Sequence, residues 1–115
     1  MNLELFYLTF ILSISIINAQ INWQNGQPTG TSWAMECDFK GSDITNKIIA
    51  ASDCSSACAS TFGCTHFTWT SYNGGTCWMK SGGISQSDAV FTGDQSMVCG
   101  ILPGNKISFS SIFIK

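Results

Sequence analysis

The chain has 115 residues, five Lys, no Arg and seven Asp or Glu, for a net charge of −2. With no cationic cluster it lacks the electrostatic footprint of a nucleic-acid binder. A chain this short makes one small domain whose core is marginal without reinforcement, and an even set of six cysteines suits that role.

Residues 5–17 are apolar except for Thr9, Ser13 and Ser15, and the run ends at Ile17-Asn18-Ala19. This pattern predicts a signal peptide over 1–19, with a small residue at the cleavage position and Gln20 as the new terminus. A spanning helix would need about 20 predominantly apolar residues, and polar Gln20, Asn22 and Gln24 follow at once. The expected product is extracellular and has no membrane association once the signal is removed. In that compartment the cysteines read as a disulfide framework. A metal site is not expected, because there is no CxxC pair and His66 is the single histidine.

Residues 20–32 are rich in Gln, Asn, Gly and Thr and read as an extended lead-in. Over 33–40 the chain alternates, which predicts a strand with Trp33, Met35, Cys37 and Phe39 on one face and Glu36, Asp38 and Lys40 on the other. Gly41-Ser42-Asp43 breaks it, and the apolar stretch 48–51 follows. Ser52-Asp53 is a helix N-cap signal and Gly63 suits a C′ position, so a helix is expected over about 53–62. Cys54 and Cys58, four apart, share one face of it.

Residues 65–70 and 76–80 are β-branched and aromatic, and Tyr72-Asn73-Gly74-Gly75 between them favours a hairpin turn. A Ser/Gln/Asp loop follows, and Met97, Cys99 and Ile101 alternate as a closing strand. Strand, helix, hairpin and closing strand define an α+β domain over 33–101, its helix packed on an antiparallel sheet. The tail 102–115 carries Ile107, Phe109, Ile112, Phe113 and Ile114 and takes no assignment: an edge strand, a dangling apolar tail and a misread chain end all remain open.

Cys54-x3-Cys58-x5-Cys64-Thr-His-Phe67, then Gly74-Gly75-Thr-Cys77-Trp78-Met79-Lys80, then Cys99, resembles the PAN/apple domain. The resemblance covers about seventy residues, roughly 33–101. It implies a helix cradled by a curved antiparallel sheet and the pairing Cys37–Cys99, Cys54–Cys77 and Cys58–Cys64. It also implies an extracellular module that binds protein or carbohydrate, with neither catalysis nor a cofactor. Family members often hold several copies or an attached catalytic domain, whereas this chain has one copy.

The residues add their own argument against catalysis. His66 is the only possible imidazole base, no Gly-x-Ser-x-Gly elbow occurs, and no carboxylate pair stands out. If Cys77 points at the helix, Met79 does too, and Trp78 and Lys80 point the other way. With Phe67 and Trp69 in the core, the outward set is His66, Thr68, Thr70, Trp78 and Lys80. With Tyr72 at the turn, these are the candidate ligand-binding residues. Aromatics among hydroxyl and amide groups lean toward a carbohydrate (polysaccharide or glycan) surface, with a protein-interaction hot spot or small secreted effector as the alternative. Nothing in the chain calls for self-association, and a monomer is expected.

Overall fold

The alternation expected over 33–40 breaks at one residue, and that break organises the fold. Glu36 takes a left-handed backbone conformation, φ 59°. Its N–H donates to Met97 O and its own carbonyl accepts from the N–H of Thr92, each at 2.8 Å. The single strand therefore becomes two, β2 (Ser32–Met35) and β3 (Cys37–Asp38). Across the break the inward phase slips by one, so Ala34, Cys37 and Phe39 are buried while Met35 is exposed. Trp33 and Met35 thus lie on the opposite face of the sheet from Cys37 and Phe39, which corrects the single-face expectation.

The structure is a computed structural model that describes residues 20–26 and 30–104. The expected signal peptide 1–19 and residues 105–115 of the tail lie outside the described residues. Six strands form one antiparallel sheet in the order β1-β2-β8-β5-β6-β4, where β1 is Gln24–Asn25, β4 Asp43–Ile48, β5 His66–Thr70, β6 Thr76–Lys80 and β8 Val98–Ile101. The lead-in contributes β1, paired with Ser32 and Trp33. β7 (Val90–Phe91) pairs with β3 in a separate two-stranded sheet.

One helix, α1 (Cys54–Ala59), packs on the larger sheet and is entered through a 3-10 turn at Ala51–Asp53. It is shorter than the sequence predicts. Asp53 makes no side-chain cap bond, and Gly63 reverses the chain at φ 84° so that Cys64 returns to Cys58. On this face Cys54, Cys58, Cys64, Phe67, Cys77 and Met79 form the core, with Trp69 and Val98 against it. Phe67 and Met79 are direct cross-strand partners, as are Phe67 and Gly100. A Cβ on Gly100 would run into the Phe67 ring, so a hydrogen there is what lets the aromatic lie flat across β8.

The hairpin β5–β6 forms in the expected register, with Thr68 opposite Trp78 and Trp69 opposite Cys77. Its connection is a 3-10 turn at Tyr72–Gly74, with Asn73 left-handed at φ 53° and Gly75 at φ 132°. Gly75 is also where Trp69 crosses the chain, sending its indole N–H to Ile49 O at 2.8 Å. β5 begins after Thr65, and this frees His66 from the phase of Cys64.

Three disulfides staple the two faces. Cys54–Cys77 and Cys58–Cys64 tie α1 to β6 and to the start of β5, while Cys37–Cys99 holds β3 against β8 on the other face. That second face has its own core of Ala34, Cys37, Phe39 and Cys99, with Ile21, Trp23, Ile84, Ala89 and Ile101 packed around it. The domain is an α+β, disulfide-stapled sheet with a helix on one side and the β3–β7 pair with irregular chain on the other.

Candidate functional site

On the face away from the helix, β5 and β6 present His66, Thr68, Thr70, Trp78 and Lys80, as alternation demands. They do not form an open surface. The segment after Cys37 crosses half of that face, because the phase slip at Glu36 turns Phe39 down onto it. His66, Thr68 and Lys80 are each under 5% exposed, so the expectation that all five residues face solvent is corrected.

Each covered residue has a structural partner. The His66 ring meets Phe39 edge to face, centroids 5.2 Å apart, and its Nδ1 is 2.9 Å from Thr65 Oγ1. Burial, and secondarily the Lys80 charge, hold the imidazole pKa below its ordinary value, so the neutral ring is favoured. The Thr68 hydroxyl oxygen accepts from the N–H of Phe39 at 3.1 Å. Lys80 donates its ammonium protons to Gly41 O at 3.0 Å and to the Asp43 carboxylate, fastening the turn that leads into β4.

What stays open is a groove of about 440 Å³ where the covering segment stops. Thr68 and Lys80 lie at its base, Asp38, Phe39, Lys40 and Gly41 along one side, and Thr70, Tyr72 and Trp78 along the other. Trp78 and Tyr72 meet at 5.8 Å between ring centroids, inclined by 42°. Thr70 Oγ1 accepts from the indole N–H of Trp78 at 3.0 Å and from the backbone N–H of Tyr72 at 3.4 Å. That hydroxyl orients the Trp78 indole directly, and the Tyr72 ring packs against it. Tyr72 is 61% exposed and Trp78 half-buried. Trp78 packs here and not against the lead-in, whose Trp23 approaches Phe39 instead.

Five of the six candidate residues thus line one groove, and His66 lies beneath its Phe39 wall. The sequence reading missed the opposite wall, Asp38 to Lys40 together with Asp43. Gly41-Ser42, both left-handed, is the only local signal for the turn that brings this wall over the sheet. Trp33 is half-buried and borders a second hollow of about 330 Å³ on the helix face, beside Met35, Phe67 and Val98. Among the described residues no group of three or more His, Cys, Asp or Glu is placed to hold a metal ion.

A helix held by two disulfides against an antiparallel sheet, a third bridge closing first cysteine to last, and an open groove walled by aromatics together describe a small disulfide-stapled domain. Residues 37–80 match the PAN-domain family model, so this part of the chain is similar to a PAN domain. No curated protein matches the chain. PAN domains are in general non-catalytic modules that bind protein or carbohydrate and are typical of extracellular proteins. No helix among the described residues is long and apolar enough to cross a membrane.

Proposed function

We propose that this chain is a secreted, non-catalytic carbohydrate-binding module that takes a polysaccharide or glycan in the groove beside Tyr72 and Trp78. The observation that carries the reading is the Trp78 indole, fixed by Thr70, with the Tyr72 ring packed against it. It sets the Trp78 ring at the wall of an open groove before any ligand arrives, which lowers the ordering cost of binding. Polar groups that sugar hydroxyls need are at hand in Asp38, Lys40 and the Tyr72 phenol. Of the other candidates, Thr68 and Lys80 shape the base, and His66 supports Phe39 from below. Secretion is supported by the apolar run ending at Ala19 and by disulfides of the sort that persist in oxidising compartments.

A glycan array and a polysaccharide pull-down with the mature protein test the reading. Retention on at least one glycan class, lost on Trp78→Ala, supports it. A protein partner engaging the same groove, with no glycan retained, would replace it with the protein-interaction alternative.

A further inference from the structure

β4 is the last strand of the sheet, and its outer edge has no strand partner among the described residues. All six of its residues are exposed, including Ile44 at 44% and Ile48 at 64%. Natural proteins blunt such an edge with proline, short length or charge. β4 has no proline, and Asp43 spends its charge on Lys80, leaving Lys47 as its only other charge. A bulge between Asp43 and Thr45 marks its start, and the rest is regular.

The direction of the free hydrogen-bonding groups follows from one bond. Ile49 donates its N–H to Gly75 O at 3.2 Å, toward β6. By ladder alternation the backbone groups of Lys47 and Thr45 also face β6, and those of Asn46 and Ile48 face the open edge. We propose that β4 pairs antiparallel with β4 of a second copy about a two-fold axis at Asn46. In this register Lys47 stands opposite the partner's Thr45, twice by symmetry, and Ile48 approaches the bulge that holds the partner's Ile44. Centring the pair on Lys47 would instead set two ammonium groups directly opposite, which is destabilising.

The contact is self-limiting. The other end of the sheet, β1, is only two residues long, so the assembly closes at two copies. One strand pair and its flanking side chains bury less than about 1,200 Å², the class of weak, transient interfaces. The two-fold is perpendicular to the sheet and leaves both grooves on one surface, their Trp78-bearing strands three spacings or roughly 14 Å apart. Where the groove takes sugar as proposed above, this arrangement sets two sites side by side and so provides avidity. It replaces the monomer expected from the sequence.

Sedimentation equilibrium of the full chain from micromolar to millimolar concentration tests the pairing without any glycan, so its failure is separable from failure of the sugar reading. The wild type is expected to dimerise reversibly. Asn46→Pro removes an outward N–H while keeping the inner ladder, and Ile48→Glu places a carboxylate near the bulge that holds the partner's Ile44. Each should weaken self-association at least tenfold with melting temperature within a few degrees of wild type. Asn46→Cys should form an interchain disulfide in oxidising buffer, and Lys47→Cys should not. A wild type that stays monomeric throughout, or a dimer that both Asn46→Pro and Ile48→Glu leave intact, would overturn the proposal. Should Asn46→Pro fail to fold, Ile48→Glu and the cysteine pair still decide it.

Discussion

The ring of Phe39 stands edge-on to the imidazole of His66, at 86° and 5.2 Å between centroids, and so couples the groove's outer wall to the sheet beneath. The Phe39 backbone N–H is tied to Thr68 on the same strand. Phe39, His66 and Thr68 therefore act as one packed unit, although only Phe39 and Thr68 reach the groove.

Acid should loosen this unit. Burial and Lys80 depress the His66 pKa, with Asp43 and Asp88 opposing more weakly, so near and below pH 6.5 the unfolded chain binds a proton more readily than the folded one. Stability is then full above pH 6.5 and declines as pH falls from there through the lowered folded-state pKa. Urea midpoints between pH 8 and pH 5 should show the decline, and His66→Gln should flatten it. An unchanged slope in His66→Gln would assign the pH dependence to other groups.

The two glycines under aromatic rings should be intolerant of any side chain. A Cβ at Gly100 meets the Phe67 ring, and one at Gly75 meets Trp69 from a backbone at φ 132°. Gly100→Ala should cost roughly 1–3 kcal/mol through overpacking, and Gly75→Ala at least as much because strain adds to the clash. Thermal melts of the two variants check this.

The three bridges should differ in worth. Sequence separations of 62, 23 and 6 residues correspond, on the loop-entropy account, to roughly 4, 3.5 and 2.5 kcal/mol. Replacing Cys37 and Cys99 by Ala together should therefore lower the melting temperature more than replacing Cys58 and Cys64. It should also weaken ligand retention, since Cys37 anchors the segment that forms one groove wall. Melts and pull-downs on the two double variants separate these effects.

Much of this was legible in the chain because it is local. The β5–β6 hairpin is written in alternating Thr, Phe and Trp around Asn73-Gly74, and the separation of Phe67 and Met79 from Trp78 and Lys80 follows from a period of two. The slip at Glu36 was not legible. Its left-handed backbone is held by bonds to Met97 and Thr92, some sixty residues away, while the side-chain pattern around it still alternates. β4 was hidden for another reason. As an edge strand exposed on both faces it carries no apolar alternation, and its Ile48 reads as the start of the apolar stretch 48–51. Missing the slip meant missing the covering segment, and with it the burial of His66, Thr68 and Lys80.

The helix face and the groove should respond differently to truncation. Phe67→Ala opens a cavity in the buried core and should cost roughly 3–5 kcal/mol. Trp78→Ala removes a half-buried ring and one hydrogen bond, the latter worth about 1 kcal/mol, and should leave the domain folded at ordinary temperature. Calorimetric melts on the pair give the comparison.

Titration of Trp78→Ala and wild type with the glycan best retained by the wild type is the most direct test of the groove. A hot-spot aromatic is worth about 2 kcal/mol or more, which is roughly thirtyfold in affinity. The account predicts a loss of that size or greater, with Tyr72→Ala also weakened and Trp78→Ala melting close to wild type. Undiminished affinity in a folded Trp78→Ala protein would contradict it and place the binding surface elsewhere.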